Sequence, residues 1–275
     1  MNTLARLVIR IGRDSLSFAV VENSSEQQLA FEPYVVRGGI SMAANLREAF
    51  ATSRLLGSGY SKVHVVIDSP VVLVPNNEYA EDAAEALYHH TITGQQGHAV
   101  LSHVMPEFAA VALFSINRDL RLVITDHFTD VRFSPLMASV WRHFYRRHYS
   151  PNNHCLYAYF HNGQLDVFAF LRGRFRFANC FAAKTTANMA YFLLAAWNQL
   201  GFDAKRDEVA IAGLSPQQQP LRDELERFLS HVNIINSTAE FRRSPITRIN
   251  GLPFDLMTLF IKGDATSSPA PSIGA

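Results

Sequence analysis

Cysteine is almost absent from this chain: its 275 residues include only Cys155 and Cys180. Two thiols make neither a disulfide framework nor a cysteine-based zinc site. Both sit in apolar, strand-like contexts, which predicts buried, reduced side chains. An excess of either charge is also missing. Lys and Arg number 25 against 24 Asp and Glu, a net charge of +1, so nothing marks a nucleic-acid or polybasic membrane-surface protein. Residues 1–150 carry 13 basic and 14 acidic side chains and the remainder 12 and 10, so the halves are electrically alike. Long apolar runs are lacking too. The richest segment, NMAYFLLAAWNQLG at 188–201, is amphipathic and shorter than the ~18 residues of a membrane span. No basic-then-apolar leader opens the sequence, and the expected location is cytoplasmic. Nucleophile elbows, P-loops, dinucleotide fingerprints and HExxH zinc motifs are all missing.

What is present is an ordinary globular composition, 48% hydrophobic and 18% charged, on a chain long enough for one large or two medium domains. A pattern occurs twice. Residues 4–36 read strand, turn, strand, loop, strand (LARLVIRIG, RD, SLSFAVVE, then QLAFEPYVV). Residues 155–181 repeat it as CLYAYF, HNG, QLDVFAFL, RG and RFRFANCF. Each copy is followed by a helix and then an apolar strand. In the first copy Ser41 caps a helix with Ala43, Leu46, Ala49 and Phe50 on one face, and KVHVVID is the strand. In the second, Met189, Phe192, Leu193, Ala196, Trp197 and Leu200 form an apolar stripe ended by Gly201, and EVAIAGL is the strand. A later helix is expected to turn Leu221, Leu225, Phe228 and Leu229 inward.

Between the copies, 76–116 reads as an inserted subdomain with a helix from Glu78 to about Ile92 and the strands AVLSHVM and FAAVALFSI. Helices are expected at 117–127 and over MASVWRHFYRRHY, with a strand around VRFSP between them. Ser150-Pro151-Asn152-Asn153 has linker composition, which divides the chain into 1–150 and 151–263, and 264–275 has that of a disordered tail.

Three segments resemble the actin-like ATPase superfamily. LVIRIGRDSLSFAVVE resembles its first phosphate loop, YAYFHNGQLDVFAF its second, and EVAIAGLSPQQQPLRDELERFL its adenosine segment. The passages IDSPVVLVP, EFAAVALFSIN and FANCFAAKTTANMAYFLL further resemble DUF3822, an uncharacterised family of Bacteroidetes proteins, over roughly residues 5–262. The resemblance implies an α/β fold of duplicated actin-like (ribonuclease H-like) domains, each a mixed five-stranded sheet with helices, plus the insert. It also implies a cleft at which Gly12, Arg13, Asp14, Ser15, Asn162, Gly163 and Gly213 would face a nucleotide.

The departures from that pattern carry the functional expectation. Active members hold hydrated magnesium with an aspartate on the first strand, and Arg10 stands there. The second turn places Tyr159-Phe160-His161 where small residues let backbone N–H groups approach phosphate, and the adenosine segment keeps Gly213 alone. The expectation is therefore a pseudo-ATPase with no catalytic residues, no metal and no cofactor, which holds a protein segment in the interdomain groove or on the insert, as actin-like proteins of pilus assembly do. The alternative is a divergent nucleotide-binding protein or ATPase that takes ATP, with Arg10 or Arg13 against phosphate. Homodimerisation through edge strands is left open.

Other polar residues read as structural. Asp68 is expected as a turn cap, Asp166 as outward-facing, and Asn179 as bonded to a neighbouring loop. His143, Arg146, Arg147 and His148 complement a helix C-terminus. His89, His90, His98 and His103 lack metal-ligand spacing. Phe168, Phe170, Phe175, Phe177 and Phe181 alternate with Arg172, Arg174 and Arg176, expected as core against a solvated face rather than a stacking platform for single-stranded nucleic acid.

Overall fold

The computed structural model describes residues 6–21, 29–147 and 154–261. The linker Ser150–Asn153, His148 and the tail from Asp264 lie outside the described residues.

β1 (Leu7–Ile11) is buried along its whole length, as its near-continuous apolar run requires. β2 (Leu16–Val21) and β3 (Leu29–Tyr34) follow antiparallel, then α1 (Met42–Thr52), whose first turn is capped by Ser41 Oγ accepting from the Ala44 N–H. β4 (Lys62–Ile67) returns parallel to β1. The chain then leaves this sheet for β5 (Val72–Pro75), α2 (Ala84–Thr91), β6 (His98–Met105) and β7 (Ala110–Asn117). It comes back through α3 (Arg118–His127) to β8 (Asp130–Pro135) and α4 (Met137–Arg147). The second half runs β9 (Cys155–His161), β10 (Gln164–Leu171), β11 (Arg174–Ala182), α5 (Thr186–Leu200), β12 (Glu208–Ala212), α6 (Gln218–Leu225), β13 (Val232–Ile234), α7 (Ser237–Glu240) and α8 (Phe254–Phe260).

Two mixed five-stranded sheets result, ordered β3-β2-β1-β4-β8 and β11-β10-β9-β12-β13, so each places its strands in the same relative sequence order. A third sheet, β5-β7-β6, has three strands and takes in residues 72–75, ahead of the expected start of the insert.

Period-two alternation sorts each central strand between two cores. Leu7, Ile9 and Ile11 face α1 and α3, while Val8 faces a central core shared by the sheets. Leu156, Ala158 and Phe160 face α5 and α6, while Tyr157 and Tyr159 face the same central core. Trp141 and Phe144 of α4 and Phe254, Leu256 and Met257 of α8 fill that core. Burial of each such side chain contributes about 1.5–3 kcal/mol. Phe108, after β6, reaches across to rings of the second sheet, 5.6 Å from Phe170 and 5.2 Å from Phe175.

Several expectations shift. α2 starts at Ala84 rather than Glu78, with turns before it. α6 ends at Leu225, so Phe228 leaves the helical register and is exposed while Leu221, Leu225 and Leu229 are buried. Cys180 is exposed because β11 is an edge strand, whereas Cys155 is buried on the central β9. Asn179 is exposed, and its Oδ1 accepts from the adjacent Cys180 N–H at 2.9 Å rather than from another loop. The phenylalanines of β10 and β11 pack inward, and Arg172, Arg174 and Arg176 are exposed. At the basic end of α4, His143 Nε2 meets Glu240 Oε1 at 2.7 Å, so an acid partner joins the helix terminus there.

His64 of β4 sets a pH dependence. Its Nε2 lies 2.7 Å from Ser134 Oγ, and its pKa is pushed down to about 4 by burial and then by His103, Arg6 and other nearby cations. A base whose folded pKa lies below its unfolded value near 6.5 is protonated first in the unfolded chain. Its contribution is therefore present above pH 6.5 and lost as pH falls toward 4, at most about 3 kcal/mol for a shift of this size. Urea titrations of wild type and His64→Gln from pH 7 to 4 should show a wild-type loss that the variant lacks. Parallel curves would refute the assignment.

Candidate functional site

The cleft between the two large sheets is where the sequence places its candidate residues, and alternation decides what enters it. Arg10 shares with Val8 the face of β1 toward the central core, so a guanidinium in a buried strand must find an acid. That acid is Asp255 in the first turn of α8. Arg10 Nε donates to Asp255 Oδ1 and Nη2 to Oδ2, both at 2.8 Å, with side chains 4% and 0% exposed. The Tyr159 hydroxyl donates to Asp255 Oδ2 at 2.7 Å. Burial lowers the tendency of Arg10 to hold its proton, Asp255 more than offsets this, and the net shift is upward. Burial, then the Asp255 charge, also holds the Tyr159 phenol well above its usual range. Ser139 Oγ donates to the Asp255 carbonyl at 3.2 Å, tying α8 to α4.

A second chain of contacts starts from the same guanidinium. Arg10 Nη1 donates to Ser15 Oγ at 3.0 Å, Ser15 Oγ donates to Asn162 Oδ1 at 2.9 Å, and Asn162 Nδ2 donates to Asp68 Oδ2 at 2.8 Å. The two turns that resemble phosphate loops are thus bonded to each other. Asn162 holds a φ of 43°, a left-handed conformation that asparagine tolerates, and presents both amide ends to this bridge. A Cβ on Gly12 would lie 2.2 Å from Ser15 Oγ and 2.6 Å from Asn162 Nδ2, so it would push aside two side chains of this bridge. Gly213, with φ +84°, packs directly on β9, where a Cβ would lie 2.1 Å from the Phe160 carbonyl oxygen.

Beside this bridge His161 stands between two carboxylates. Its Nε2 is hydrogen-bonded to Asp166 Oδ2, and its Nδ1 faces Asp68 Oδ2 at 3.5 Å. Burial pushes the imidazole pKa down, but Asp166 and then Asp68 outweigh it and raise it to about 10. Burial raises the Asp68 carboxyl, and His161 and Asn162 more than reverse that, leaving it below its usual range.

Of the sequence candidates, Gly12, Ser15 and Asn162 meet in this network and Gly213 seals against the strand leading to it. Gly163 follows Asn162 in the turn with φ 69°. Arg13 and Asp14 stay on the exposed part of the first turn. Asp166 corrects the outward reading: it is 9% exposed and bound to His161, because β10 is covered on both faces. Asp68 is more than a turn cap, since it joins β4 to the second half. Asp255 was not anticipated. The one signal for it was the unexplained charge of Arg10 inside an apolar strand.

Most donors and acceptors of this cleft pair with one another, the buried His161 Nδ1 being left without a hydrogen-bond partner, and its carboxylates each face a cation or an amide. Among the described residues no group of three or more His, Cys, Asp and Glu side chains is placed to hold a metal ion, and no helix is long and apolar enough to cross a membrane.

Residues 2–232 match the family model described as a protein of unknown function, DUF3822. No curated protein matches the chain. Among solved structures, it is similar to a Bacteroides thetaiotaomicron protein with an actin-like ATPase fold and unknown function. The identity is 24% and the TM-score 0.81, covering 94% of this chain and 96% of that one. It is more distantly similar to a PilM–PilN type IV pilus biogenesis complex (11% identity, TM-score 0.49, 86% of this chain and 89% of that one). The ethanolamine utilization protein EutJ from Carboxydothermus hydrogenoformans is also similar (11% identity, TM-score 0.41, 84% of each chain). The likeness to the first of these shows an actin-like fold.

Proposed function

The chain belongs to the DUF3822 family, whose function is unknown, and we propose that it is a non-catalytic interaction protein on an actin-like fold with a sealed cleft. The observation that carries this reading is the buried Arg10–Asp255 pair at the centre of the cleft. These residues do not fit Mg-ATP. A fixed guanidinium stands where the resemblance calls for a magnesium-binding carboxylate, the two turns spend their polar groups on each other, and Gly213 leaves no gap above β9.

A filled groove takes the interdomain surface out of contention for a protein segment and leaves the small sheet. There the edge strand β6 exposes Val104 at 59% and α2 exposes Leu87 at 40%. We read the matching strand order of the large sheets as a duplication, divided near residue 150, with 76–116 as an insert and a cytoplasmic location. The divergent nucleotide-binding alternative sets the test. Calorimetric titration with Mg-ATP at near-millimolar concentration, repeated with EDTA, is expected to give no heat of binding. Val104→Glu is expected to abolish capture of a protein partner that Arg13→Ala retains. Magnesium-dependent binding, or partner capture lost only in Arg13→Ala, would overturn the proposal.

A further inference from the structure

Away from the cleft, the small sheet carries a cavity of about 470 Å³ between the end of α2, the loop 92–97 and the start of α3. Three basic side chains converge on it from three elements: His89 of α2, His98 of β6 and Arg118 of α3. The His98 ring is oriented from behind, with Nδ1 3.1 Å from Ser115 Oγ. Ser115 is 1% exposed, accepts from the Tyr88 hydroxyl at 3.2 Å and donates to Gln95 Oε1 at 3.3 Å. With the Ser115 proton directed to Gln95, the hydroxyl oxygen receives Nδ1–H. Nε2 is then the nitrogen left for a ligand.

This arrangement suits an oxyanion. A divalent cation would be repelled by Arg118, whereas a tetrahedral group with several oxygens can accept from a guanidinium on one side and imidazolium rings on others. The titratable and charged groups around His98 are His89 and Glu85 from α2 and Arg118 from α3. Glu85 lies 3.8 Å from both His89 Nε2 and Arg118 Nη2 and is 64% exposed, a loose counter-charge that a ligand can displace. The volume exceeds that of one phosphate and leaves room for a small organic body against Thr93, Gln95 and Gln96.

We propose that this cavity binds the phosphoryl group of a small phosphorylated molecule through Arg118, His98 and His89. Burial and the neighbouring His89 hold the His98 pKa below its ordinary value, so an anion must draw a proton onto the ring as it binds. Affinity therefore rises as pH falls.

The test is an NMR titration of the imidazole signals of the full chain with sodium sulfate, whose charge is constant over the range, and with ribose 5-phosphate. Sodium chloride at matched ionic strength and ribose are the controls. His89 and His98 signals should move saturably with sulfate, with affinity rising roughly fivefold or more from pH 7.5 to 6. Ribose 5-phosphate should bind more tightly than sulfate, and ribose should not bind. Arg118→Gln should weaken binding about tenfold and Glu85→Gln should strengthen it, and both side chains are exposed enough for the variants to fold. Signals that merely follow chloride, an unchanged affinity in Arg118→Gln, or no gain from the sugar phosphate over sulfate would each overturn the proposal.

Discussion

Asp255→Ala is expected to lower the thermal midpoint by about 10 °C, reflecting a loss of about 3–5 kcal/mol. The substitution leaves the Arg10 guanidinium in a space where its side chain is 4% exposed, with no anion bonded to it. It also strands the Tyr159 hydroxyl, which donates to the same carboxylate. Desolvation is costly for the charge that remains, so the single change should be far worse than removal of the pair. Arg10→Met combined with Asp255→Leu should recover the part of the loss that comes from the stranded guanidinium, because an apolar pair of similar bulk fits the surrounding core of Val8, Tyr159 and Phe254. Thermal and urea unfolding of the two single variants and the double variant would measure the coupling. If Asp255→Ala costs under about 1 kcal/mol, the pair does not hold the cleft shut.

Gly213→Ala should be damaging for a different reason, with an expected loss of roughly 3 kcal/mol or more. The backbone there has φ +84°, which an L side chain adopts only under strain. The added methyl would also sit 2.1 Å from the Phe160 carbonyl oxygen and 2.9 Å from the Tyr159 ring, and the nearer atom is backbone that cannot swing aside. Either β12 or the end of β9 must move, which would loosen the Tyr159 contact with Asp255. Gly163→Ala is the control: its φ is +69° but nothing lies within 4 Å, so it should show the conformational cost alone, about 1 kcal/mol. Equal losses in the two variants would show that close packing at Gly213 contributes nothing.

Much of the fold was legible in the residues because its determinants are local. The stripe through Met189, Leu193, Ala196 and Trp197 needs only helical spacing, and those side chains are buried as that spacing requires. Ser41 declares its cap within a few residues. Phe228 was misread because apolar spacing continues past the point where the backbone stops being helical. Asp166 was misread because polarity in a strand suggests an outward face only when one face is solvated, and β10 has a core on each side.

By itself, the sequence determined the order of elements, the apolar faces and the isolated charge of Arg10 in an apolar strand, since each is written in neighbouring residues or in one residue's chemistry. Only the tertiary structure decided what answers that charge. Asp255 lies 245 residues away in a short helix whose register carries no sign of its partner, and Asn162 reaches Ser15 across 147. Such pairings are chosen by desolvation. A buried cation is tolerated only where folding brings an anion to it, and no local pattern records where that anion comes from.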